Sequence, residues 1–152
     1  MSFNRKQFFG LNFEWYMTDA AGSLAMFISG YGPIPKSVFE NADGYSELKD
    51  FFQRLPVHSN SRYDSESNEI GIDGSNSLFS DVKAVSRGLY VFDNEEYSDN
   101  YKLIAIPKTT LNVSTFEKRI QNLLEPFAFR DTIFGEVTSL NIADHFECDK
   151  IT

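Results

Sequence analysis

Cysteine is almost absent. Cys148 is the only thiol in 152 residues, so no intramolecular disulfide can form, and a reducing compartment suits the chain. Histidine is nearly as scarce, and His58 and His145 lie too far apart in sequence to define a metal site by themselves. No segment approaches the roughly 18 apolar residues of a membrane-crossing helix. The opening MSFNRKQFFGLNFEWYM lacks the apolar core and small residues of a signal peptide. Basic charge is also short: 14 Lys and Arg stand against 22 Asp and Glu, for a net charge of −8 and an isoelectric point near 4.7. Binding to a phosphate backbone needs a basic footprint, and anionic membrane surfaces disfavour this chain for the same reason. We therefore expect a cytoplasmic protein with no nucleic-acid partner, no membrane association, no metal and no other cofactor.

What the chain has in excess is aromatic surface: fifteen Phe, seven Tyr and one Trp. Each ring buries about 150–250 Å², so few residues are needed to close a core, and some can serve as interface anchors. The length suits one domain.

The stretch Leu11 to Pro35 organises the pattern. Leu11, Phe13, Trp15 and Met17 alternate with Asn12, Glu14 and Tyr16, the period of a half-buried strand. Thr18 to Gly22 is turn chemistry. Leu24 to Ile28 is apolar on both faces and returns as a more central strand, making a hairpin. Gly30-Tyr31-Gly32-Pro33-Ile34-Pro35 cannot continue a strand and reads as an elbow into helix. Tyr45, Leu48, Phe51, Phe52 and Leu55 fall at helical spacing and stop at Pro56. A short helix ends at Gly88. Leu89 to Phe92 and Tyr101 to Ile106 read as paired central strands. Ser114 with Glu117 matches a capping box ahead of a helix carrying Phe116, Ile120, Leu123, Leu124 and Phe127. Ile133 to Leu140 reads as a last strand. We expect one α+β domain over 1–152, with a mostly antiparallel sheet of about five strands and two main helices packed on one face. A mobile loop is expected at 57–77, with Ile70 and Ile72 as a short edge strand, and a frayed tail from about 141.

No catalytic constellation emerges. His145, Glu147 and Cys148 are the only cluster with a base, a carboxylate and a nucleophile, and they sit in that polar tail. Gly30 to Pro33 lacks the Lys-Ser/Thr of a phosphate loop. The acidic turn carries the candidate site: Asp93, Glu95, Glu96 and Asp99, with Tyr97 and Tyr101 as anchors, form a docking surface for a basic protein. The same residues also suit a merely solvated hairpin tip, and their spacing misses the calcium-loop pattern.

The order of a Phe/Trp strand, the run Gly32-Pro33-Ile34-Pro35, then Gly88-Leu89-Tyr90-Val91-Phe92-Asp93 and Tyr101 to Pro107 resembles small uncharacterised bacterial proteins that we associate with the immunity proteins of polymorphic toxin systems. The resemblance spans roughly residues 11–140. It implies a non-enzymatic protein that binds and neutralises a cognate toxin. The net charge leads us to expect a basic surface on that partner, and we expect the protein to be a monomer or weak homodimer. Alternatives from other classes are a scaffold or assembly module, as in a phage, and a small ligand-binding protein or enzyme.

Overall fold

The computed structural model describes residues 13–57, 61–63, 71–72, 80–95 and 98–149. Strands β1 (Phe13–Thr18) and β2 (Leu24–Ser29) pair antiparallel, with Trp15 opposite Phe27 and Tyr16 opposite Met26. Their turn relies on Gly22, whose φ of 85° lies in the left-handed region that favours glycine. Asp19 closes the same turn. Its Oδ1 accepts from Ala21 N at 2.9 Å and Ser23 N at 2.8 Å, and its Oδ2 accepts from Phe134 N at 2.9 Å.

Beyond β2 the chain makes β3 (Ile34–Pro35), α1 (Lys36–Glu40), α2 (Ala42–Gln53), β4 (Ser61–Tyr63), β5 (Gly71–Ile72) and α3 (Ser80–Ser86). It continues through β6 (Tyr90–Asn94), β7 (Asn100–Ile106), α4 (Lys118–Leu124), β8 (Ser139–Asn141) and β9 (Cys148–Asp149). Among the described residues seven strands form one sheet in the order β1-β2-β6-β7-β4-β5, with β8 also paired to β7, and β3 pairs with β9 apart from it. The β2–β6 pair is parallel and the others are antiparallel. The fold is thus the expected α+β type. The sheet exceeds five strands because β4, β5 and β8 are three, two and three residues long, too short for a period-two signature.

One face of the sheet is an aromatic row. Trp15 stacks on Phe27 with centroids 5.4 Å apart, and Phe27 stacks on Phe92 at 4.8 Å. Phe134 meets Phe92 edge-on at 5.4 Å, and Phe129 lies 6.1 Å from Phe27. Strand alternation sends Tyr16 to the opposite face, where it stacks on Phe52 of α2 at 4.5 Å. Helices α2 and α4 pack on each other and against β1, while α3 packs on β4, β6 and β7.

Three local expectations are corrected. Ser114 and Glu117 form no capping box. Asn112 Nδ2 donates to Ala21 O at 2.9 Å, and Asn112 Oδ1 accepts from Ser114 N at 3.0 Å. That pins a 3-10 turn over Val113–Thr115, and α4 begins only at Lys118 without a side-chain cap. The strand expected over Ile133 to Leu140 shrinks to β8, because Phe134–Glu136 is a 3-10 turn whose first N–H is taken by Asp19. The tail does not fray at 141: Ile142 is fully buried, Phe146 packs on the core, and β9 pairs with β3. As for the loop expected at 57–77, residues 58–60, 64–70 and 73–77 lie outside the described residues, while its described parts include β4 and β5.

Phe27→Ala removes the ring shared by both stacks and is expected to lower unfolding free energy by about 3–5 kcal/mol in urea titrations; a loss near that of a surface substitution would contradict the assigned core. The phenols give a second expectation. Tyr16 and Tyr45 titrate well above their ordinary value of 10.0, first because burial opposes the phenolate. The unfolded chain therefore releases these protons before the folded one does. The stabilisation is complete below pH 10 and is lost as pH rises beyond it. Urea midpoints followed into alkali should fall, and fall less in Tyr16→Phe and Tyr45→Phe.

Candidate functional site

The β6–β7 hairpin tip is held by its own polar groups. Glu95 N donates to Asn100 O at 3.0 Å and Ser98 N donates to Glu95 O at 3.0 Å. Asn94 Nδ2 donates to both Ser98 O at 2.9 Å and Asn100 O at 3.0 Å, and Asn100 N donates to Ser98 Oγ at 3.0 Å. From this tip Asp93, Glu95 and Asp99 are exposed. Lys102, opposite Asp93 in the register, is exposed as well. Glu96 and Tyr97 lie outside the described residues.

Tyr101 does not belong to that surface, which corrects its assignment as an anchor. It is 0% exposed. Strand alternation places it between exposed Asn100 and Lys102, so its ring enters the core and meets Trp15 edge-on at 5.6 Å and Phe27 at 5.7 Å. Its hydroxyl donates to Pro33 O at 2.7 Å, a buried bond that ties the elbow to the sheet.

That elbow supplies a residue that sequence reasoning missed. Ser29 Oγ donates to Gly32 O at 3.2 Å, and Gly32 lies so near the tip that a Cβ there would stand 2.4 Å from Asn94 Nδ2. A larger residue there would have to push the Asn94 amide out of its place in the tip. Clamped from three directions, the elbow presents Tyr31, 63% exposed and the one large hydrophobic side chain that stands out from the surface among the described residues. The available signal was negative: an aromatic between two glycines in a segment that can be neither strand nor helix has no periodic place in the core. The structure therefore joins an exposed tyrosine to an acidic hairpin tip. Such a surface can bind by ring burial and electrostatic complementarity.

The side chains of the tail cluster take separate partners. His145 Nδ1 lies 3.4 Å from Asp131 Oδ1, and its ring meets Phe129 edge-on at 5.0 Å. Lys36 Nζ donates to Glu147 Oε1 at 3.0 Å, and Cys148 Sγ donates to Phe146 O at 3.4 Å. Each side chain engages a different partner. His58 lies outside the described residues. Among the described residues no group of three or more His, Cys, Asp or Glu is placed to hold a metal ion, and no helix is long and apolar enough to cross a membrane.

No family model, curated protein or solved structure matches the chain.

Tyr101→Phe keeps the ring and deletes the bond to Pro33. The buried carbonyl loses its donor, so stability should fall by about 1–3 kcal/mol. Amide exchange at residues 30–33 should quicken in the same variant; an unchanged exchange rate would mean that the hydroxyl does not hold the elbow.

Proposed function

We propose that this protein is a non-enzymatic binding protein of the immunity type, which neutralises a cognate toxin by covering a basic surface of it. The observation that supports this reading best is the juxtaposition of Tyr31 with the acidic tip. The tip's hydrogen bonds hold the backbone on which Glu95 and its neighbours Asp93 and Asp99 are carried, which lowers the backbone ordering cost of docking there. Tyrosine is enriched among residues that dominate binding energy, because it buries a large ring at a small rotamer cost. The net charge of −8 adds long-range attraction for a basic partner. The sequence resemblance to immunity proteins points in the same direction.

Co-expression with the product of the adjacent gene tests the proposal. The host should survive with the wild-type protein. Protection should weaken with Tyr31→Ala and Glu95→Lys combined, while the thermal midpoint stays close to wild type. Glu95→Lys alone should slow association about tenfold at low salt, with the difference shrinking as salt screens it. An adjacent product that is not toxic, together with no copurifying partner, would remove the support.

A further inference from the structure

A second recessed place lies on the Tyr16 face of the sheet, roofed by the end of α2 and by α3. It is a cavity of about 330 Å³ whose apolar walls are Met26, Phe52 and Leu89. Its polar groups are Glu14, Tyr16, Lys83 and Arg87. On a strongly acidic protein this is a local excess of positive charge, two cations against one carboxylate.

None of the three charges is neutralised within the described residues. Arg87 Nε donates to Leu55 O at 3.1 Å and its Nη2 donates to Gln53 O at 3.0 Å, both uncharged carbonyls at the C-terminal end of α2. These bonds fix the guanidinium plane and leave Nη1 without a hydrogen bond to a described residue. Burial lowers the Arg87 pKa from its usual value, which reports partial loss of water around the cation. Lys83 and Glu14 make no ion pair with any described residue. Tyr16 is only 5% exposed, yet its hydroxyl forms no hydrogen bond with a described residue. Two other polar atoms without partners, Trp15 Nε1 and Ser37 Oγ, are fully shielded, whereas the Tyr16 hydroxyl keeps access to the cavity. A hydroxyl this deeply buried is costly to leave unmatched unless something supplies its partner.

We propose that this cavity binds a small carboxylate bearing an amino group and an apolar body, the chemistry of a hydrophobic α-amino acid. The carboxylate accepts from Arg87 Nη1, Lys83 and the Tyr16 hydroxyl, as guanidinium groups favour carboxylates. The ammonium faces Glu14, and the apolar body rests on Met26, Phe52 and Leu89. The volume falls at the lower end of the range for small-molecule pockets, about 300–1,000 Å³. This site is separate from the toxin-docking surface, so either reading can fail alone.

The test is calorimetric titration of the full chain with each proteinogenic amino acid, and with the corresponding acids lacking the amino group. At least one hydrophobic amino acid should bind at one per chain. Lys83→Met should weaken that ligand at least tenfold. Glu14→Gln should weaken the amino acid but not its des-amino counterpart. Both substitutions fall on side chains without described ion pairs, so the fold should survive, and circular dichroism checks that it does. The proposal is overturned if no compound binds with a dissociation constant below about 1 mM. It is overturned equally if neither substitution changes affinity, or if the des-amino acids bind as tightly as the amino acids.

Discussion

The carboxylate of Asp19 is the joint between the first hairpin and the segment that leads into β8. A buried charge is tolerated only where hydrogen-bond donors surround it, and Asp19 has three backbone N–H groups, two from its own turn and one from Phe134. Around it the turn collects further segments. Ala20 N donates to Thr132 O at 2.9 Å, Val113 N to Gly22 O at 2.8 Å, and Phe129 N to Thr18 O at 2.8 Å. The stretch from Leu111 to Phe134 has only α4 and short 3-10 turns as regular structure of its own. It is held because the first hairpin offers it a row of backbone partners and an aromatic floor.

That floor explains why so many phenylalanines sit in a small protein. Rings from β1, β2 and β6 stack across the sheet, and Phe134 from a later 3-10 turn closes over Phe27 and Phe92 edge-on, an arrangement that aromatic quadrupoles favour. Tyr101 belongs to the same layer but has a polar end. Its ring is part of the core and its hydroxyl reaches the elbow. Core packing and surface presentation are thereby coupled in one side chain: the residue that fills space beneath Trp15 also decides where Tyr31 stands.

Much of the fold was legible because alternation survives in single strands. Phe13, Trp15 and Met17 announced their face, and the spacing of Tyr45, Leu48 and Phe52 announced α2. The parallel contact of β2 with β6 was not legible, since nothing within either strand encodes which distant strand it will join. Asp19 looked like an ordinary turn residue, because the third donor to its carboxylate lies 115 residues downstream. The candidate site was half visible. Net charge pointed to the acidic tip, but composition counted Tyr101 among its anchors although strand phase buries it. Tyr31 carries no signal of its own, because the glycines and prolines around it suffice to explain the elbow.

The parallel β2–β6 pair also constrains how the chain can come to be folded. Antiparallel neighbours can zip from a turn, but parallel neighbours need a long crossover. Here that crossover runs from Gly30 to Leu89 and, among the described residues, carries three helices and three short strands. During synthesis the first hairpin therefore emerges with one apolar edge open, and it stays open until β6 has been made. Long-range pairing of this kind is slow and leaves an unpaired strand edge at risk of joining another chain. The hairpin that directs the final fold is thus the part of the nascent chain most in need of shelter.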